Sequence, residues 1–161
     1  MIPHKIVVFE QDSSVRKLLK DSIEQMSFVK ERGYFVEALP EPWNAKDQVD
    51  GDTALVVVGH YAKGQIPEWS ALHYVRDVPG NVPVIAGCAL WDSETRAAFV
   101  RAGAQFTYDR PVRIKGLEGM VKAALKVGQA LKMLSGNKDY FVATHLGRDN
   151  EAISVYRVPK E

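Results

Sequence analysis

The sequence has a single cysteine, Cys88, and that scarcity removes several classes at once. No intrachain disulfide can form, and a zinc site built on thiolates would lack ligands. An excess of one charge is also missing. Lysines and arginines number 21 against 20 acids, so no global field draws the chain to nucleic acid or to an anionic membrane. No apolar run approaches the roughly 20 residues of a membrane span. The first such run, Ile6-Val7-Val8-Phe9, is too short for a secretory leader and is followed by acidic Glu10. No Gly-x-Gly-x-x-Gly succeeds it, which removes the dinucleotide fingerprint, and neither internal repeats nor low-complexity tracts occur. The expectation is a protein of the reducing cytoplasm, with no nucleic-acid partner and no membrane insertion.

What is present reads as one domain with an extension. The 161 residues are 46% hydrophobic and 25% charged, ordinary values for a globular chain. Short apolar runs bounded by turn residues predict buried strands at Ile6–Phe9, Tyr34–Val36, Leu55–Val58, Val82–Cys88 and Ala104–Tyr108. Between them, helical spacing links Val15, Leu18, Leu19, Ile23 and Met26, with Ser13 or Ser14 as the cap. Residues 40–51 predict a loop with a short helix. Pro67 opens a further helix, Asp92 caps another that Gly103 closes, and Leu117, Met120, Val121, Ala124, Leu125 and Leu131 share one face of a long last helix. Alternation of this kind predicts an α/β fold, a doubly wound parallel sheet of five strands covered on both faces. Its ligand crevice would lie at the carboxyl ends of the strands. After residue 134 the chain changes character: Tyr140–Leu146 and Ala152–Val158 are β-prone and predict a C-terminal hairpin over residues 135–161. An isolated hairpin is marginal in water, so this one must pack on its own domain or on a partner.

Four segments, in order, carry a resemblance. Lys5 to Arg16 holds a strand, an acidic turn and a helix; Ala54-Leu55-Val56-Val57-Val58-Gly59 is a second strand and its exit. Pro83-Val84-Ile85-Ala86-Gly87-Cys88-Ala89 and Gly103 through Pro111 follow. Over residues 1–134 the chain resembles the receiver domain of bacterial response regulators, a CheY-like, flavodoxin-like fold. The resemblance implies two acids after the first strand to hold Mg²⁺, and here they are Glu10 and Gln11. It implies an aspartate that accepts the phosphoryl group, where this chain has Gly59. A Thr or Ser is implied on the fourth strand, where Cys88 stands, and a lysine before the last proline, where Arg110 stands. Covalent phosphoryl transfer requires its nucleophile, hard Mg²⁺ prefers carboxylates, and arginine keeps the charge of lysine but not its shape. The expected reading is a degenerate pseudo-receiver without aspartyl-phosphate chemistry, no enzyme, needing no cofactor and no metal.

Each candidate has a blander alternative. Glu10 and Arg110 either pair and lock one conformation or remain two partly solvated charges. Cys88 and His60 either form a thiol–imidazole dyad or are a small buried hydrophobe beside a loop histidine. His4, His73 and His145 lack metal-ligand spacing and read as solvated or packing residues. Lys115, Lys122, Lys126 and Lys132 read as the solvated face of the last helix. In receivers, the face made by the fourth helix, fifth strand and fifth helix is the usual partner surface. That points to Trp91, Phe106, Tyr108 and Val112 as interaction residues, against ordinary packing for Phe106 in particular. The leading expectation is therefore a docking module of bacterial signalling or localisation, with a protein partner or a homodimer. The alternatives are a small-ligand sensor using the vacated crevice at Gly59 and an enzyme built on Cys88.

Overall fold

In the computed structural model of the chain, the described residues are 3–42, 45–59, 72–73, 82–88, 93–111, 113–136, 139–146 and 154–160. Strands β1 (Lys5–Phe9), β2 (Phe35–Leu39), β3 (Thr53–Val58), β4 (Val84–Cys88), β5 (Phe106–Asp109), β6 (Tyr140–Leu146) and β7 (Ser154–Pro159) form one sheet in the order β2-β1-β3-β4-β5-β6-β7. All neighbours pair in parallel except β6 and β7, which are antiparallel. The helices are α1 (Ser13–Glu24), α2 (Ser27–Glu31), α3 (Ala45–Gln48), α4 (Ser93–Arg101) and α5 (Ile114–Gly136). The helix expected from Pro67 and the cap expected at Asp92 lie outside the described residues, although Leu72 and His73 are helical.

The apolar runs are strands because they must bury both faces. Successive side chains of a strand point to opposite sides, so Ile6 and Val8 enter one core while Val7 and Phe9 enter the other. The first core joins them to Leu19 and Ile23 of α1, and to Leu117, Met120 and Val121 of α5. The second gathers Val56, Val58, Val84 and Ala86 against Phe99 of α4. This is the doubly wound architecture, and β1 stands between β2 and β3 at the point where chain order reverses.

Two local expectations change, and a third is met. Asp12, and neither serine, caps α1: its carboxylate accepts from Ser14 N–H at 2.9 Å and Val15 N–H at 3.0 Å. The extended backbone that a cap needs falls one residue earlier, at Asp12, so both serines are already helical. Lys132 does not join the solvated face; it is half-buried, and its ammonium donates to the carbonyl of Val82. The expected C-terminal hairpin is present as antiparallel β6 and β7, and it packs on its own domain by continuing the sheet, β6 lying parallel beside β5. Ala143 and Val158 close against Val100 of α4 and Leu146 enters the core under α5, whereas Val155 is 66% exposed.

Candidate functional site

The carboxyl ends of β1, β3 and β5 bring Glu10, Gly59 and Arg110 together. Glu10 is held by its backbone: its N–H donates to Leu39 carbonyl at 3.0 Å, and its own carbonyl accepts from the Arg16 guanidinium at 3.0 Å. Gly59 N–H donates to the Phe9 carbonyl at 2.8 Å, which ties β3's exit to β1. Thus anchored, the Glu10 side chain turns inward and is only 1% exposed. One carboxylate oxygen, Oε2, accepts from Asp12 N–H at 3.1 Å; the other, Oε1, lies 3.5 Å from Arg110 Nη2.

Gly59 is what permits this. A Cβ on residue 59 would lie 2.3 Å from Glu10 Oε1 and 2.8 Å from its Cδ. The Glu10 carboxyl therefore occupies the space in which a side chain at 59 would begin. A second glycine does the same one strand away. A Cβ on Gly87 would lie 2.3 Å from Cζ of Tyr108, its register partner on β5, so the phenol occupies the space that a side chain at 87 would take. Burial raises the Tyr108 pKa, and the nearby charge of Glu10 raises it further. Burial likewise pushes the Glu10 carboxyl above the usual carboxylate range, against the Asp12 N–H and the Arg110 guanidinium, which favour its charged form.

What remains open is a depression of about 310 Å³ lined by Glu10, Gln11, Asp12 and Arg110. The Mg²⁺ that receiver chemistry implies does not fit this donor set. Glu10 is committed to Arg110 and Asp12 N–H, the Asp12 carboxylate caps α1, Gln11 offers a neutral amide and Gly59 offers nothing. Nor is the space over Gly59 vacant for a small ligand, as the sensor alternative required; Glu10 fills it. Cys88 ends β4 in register with Asp109, while its side chain and the whole of His60 lie outside the described residues, so the proposed dyad does too.

The expected interaction residues fare differently. Trp91 and Val112 lie outside the described residues. Phe106 is fully buried and Tyr108 is 2% exposed, so neither presents a surface to a partner. The cause is β6, which covers the edge of β5, together with α5 on the face above. Sequence reasoning also missed a polar cluster that this pairing creates. Thr107 Oγ1 lies 2.7 Å from His145 Nδ1 and 3.1 Å from the Tyr156 hydroxyl, and His145 Nε2 lies 3.2 Å from Asp109. Burial and the Arg96 charge lower the His145 pKa, Asp109 opposing them. Burial lifts the Tyr156 phenol to about 12. Thr107 and Asp109 alternate onto one face of β5, a signal present in the sequence; the pairing of β5 with the strand that carries His145 was not.

No family model and no curated protein matches the sequence. Solved structures do. A CheY-like receiver domain from Methanospirillum hungatei superposes with a TM-score of 0.64 at 14% identity, covering 81% of this chain and 98% of that one. The receiver domain of a Francisella response regulator gives 0.60 at 20% identity, over 76% and 96%. A putative pilus assembly-related protein from Burkholderia pseudomallei gives 0.62 at 18% identity, over 78% and 90%. The fold is that of a receiver domain, with β6 and β7 added at one side of the five-stranded parallel core.

Proposed function

We propose that this chain is a phosphorylation-independent receiver module, cytoplasmic and not an enzyme, that acts in bacterial signal transduction or in a surface assembly by docking on another protein. The observation that carries the reading is the Glu10 carboxyl lying in the space above Gly59, with Arg110 beside it. In a phosphorylatable receiver that space belongs to the acceptor carboxylate, and the neighbouring cation neutralises the incoming phosphoryl group. Here an unreactive internal anion already sits against the cation. Phosphoryl transfer is a matter of positioning and charge neutralisation around a nucleophile, and this arrangement supplies the neutralised state permanently. The module's conformation then has no phosphorylation input, and its output is a fixed recognition surface.

The company of the fold is consistent with this. Its structural neighbours include response-regulator receivers and a putative pilus assembly-related protein, so the scaffold serves both signalling and assembly. Acetyl phosphate with Mg²⁺ tests the reading directly. The intact mass of the full chain is expected to stay unchanged, and a phosphoryl adduct mapped to any residue lining the Glu10–Arg110 depression would overturn it.

A further inference from the structure

The opposite pole of the sheet carries a second concavity. It lies at the amino ends of β4, β5 and β6, where α4 and α5 terminate, far along the strands from Glu10 and Gly59. Its volume is about 400 Å³, within the size range of small-molecule sites. Its walls are apolar, with Leu72, Val84, Val100 and Phe141, but its charged residues are Arg101, Lys132 and Lys160. No acid is among the described residues that line it.

We propose that this cavity binds a small organic anion, a carboxylate or phosphate ester carrying an apolar group. This site is independent of the proposed function, and what marks it is a charge imbalance among the described residues that line it. Each cation is held by a backbone carbonyl: Arg101 by that of Pro159 at 3.1 Å, Lys132 by that of Val82 and Lys160 by that of Ser135. Of these carbonyls only that of Ser135 lies at a helix C-terminus; the ends of α4 and α5 that meet at the cavity carry partial charge only, about half a negative charge each. Two helix ends thus offset roughly one of three positive charges. An ammonium has three donors; Lys132 and Lys160 each give one to a carbonyl, and Lys160 also lies over the Phe141 ring at 5.1 Å.

Lys132 is the sharpest case. Burial lowers its pKa to about 8, and no carboxylate among the described residues acts against that shift. A half-buried cation without a counter-charge is costly to fold, and an anion in the cavity removes the cost. The apolar walls favour an anion attached to a hydrocarbon group over a fully hydrated one. The purely structural alternative is that Lys132 simply caps a strand-entry carbonyl.

The two are separated by titrating the ¹⁵N-labelled full chain with phenyl phosphate, benzoate and inorganic phosphate, with benzyl alcohol as the neutral control. Saturable shifts of the Gly103, Gln105 and Val142 amides are expected with phenyl phosphate or benzoate, weaker ones with inorganic phosphate and none with benzyl alcohol. Lys132→Met is expected to weaken binding by about tenfold or more, as loss of a charge-assisted contact does, while Tm holds or rises. If Lys132 only caps a carbonyl, the same variant lowers Tm and there is no binding to lose. Should Lys132→Met fail to fold, Arg101→Met, at an exposed position, is expected to weaken binding with its fold intact. No saturable shift with any of the anions, or equal binding of benzyl alcohol, overturns the proposal.

Discussion

Gly59→Ala adds one methyl group where Glu10 already is. The new carbon would lie 2.3 Å from Glu10 Oε1, about an ångström inside ordinary contact, so the carboxyl must swing out. That movement breaks the hydrogen bond from Asp12 N–H, at 3.1 Å, and the 3.5 Å pairing with Arg110. Hydrogen bonds to charged groups contribute about 1.5–3 kcal/mol, and overpacking costs about 1–3 kcal/mol. Allowing for partial relaxation, the substitution should destabilise by about 2–4 kcal/mol. The same change in a Glu10→Ala background meets no carboxyl. There it should be neutral, or stabilise by about 0.4–1 kcal/mol through the less flexible unfolded chain. Urea denaturation of the wild type, both single variants and the double variant closes the cycle, with an expected coupling of about 2–4 kcal/mol. Equal costs for Gly59→Ala in the two backgrounds would refute the claim that Glu10 fills this space.

Gly59→Asp is expected to gain no phosphoryl mass from acetyl phosphate and Mg²⁺, because Glu10 obstructs the new side chain and Gln11 withholds a metal ligand; ready modification would show the reverse. Truncation after Gly136 removes β6 and β7, and the burial of Leu146 and Val158 alone sets the loss at about 3–6 kcal/mol. Calorimetry should register a fall in Tm of roughly 10 °C or more; an unchanged Tm would mean the hairpin does not support the sheet. His145 has a folded pKa below its ordinary 6.5, so the folded state binds fewer protons than the unfolded one between those values. Its contribution is complete above 6.5 and is lost as pH falls through the folded pKa. Glu10, with a raised pKa, works in the opposite direction: its folded state gains as pH falls toward 4.5. The difference in stability between wild type and His145→Gln should therefore shrink or invert from pH 7 toward pH 5, and a constant difference would sink the assignment.

The core strands and their two-faced burial were legible because a buried strand advertises itself as an unbroken apolar run. Leu55 to Val58 reads the same way in sequence and in space. Glu10, Gly59 and Arg110 were brought together by the order of four weak segments, each ambiguous alone. What no run of letters discloses is a close approach. That Glu10's carboxyl replaces a missing side chain at 59 depends on the angle at which β1 leaves the sheet. The pairing of β6 with β5 was hidden because parallel neighbours are joined through a long helix, with no turn chemistry to fix their register. His145 and the burial of Phe106 and Tyr108 were hidden with it. Lys132 was available: it stands four residues after buried Gly128 and three before buried Ser135, on the inner face, whereas Lys115, Lys122 and Lys126 are exposed.

The added strands also change what the sheet offers to other chains. An open β5 would present a parallel edge of unpaired backbone groups, a template on which a foreign strand can grow. With β6 and β7 in place, that flank ends at a strand carrying Arg157 and Pro159, with Lys160 directly after it. Arg157 lies over the Tyr140 ring at 4.8 Å, and Lys160 donates back to the Ser135 carbonyl. Proline has no N–H to offer a newcomer, and desolvating two cations opposes stacking. The hairpin is in this sense a terminator, disfavouring further strand addition on that side of the sheet.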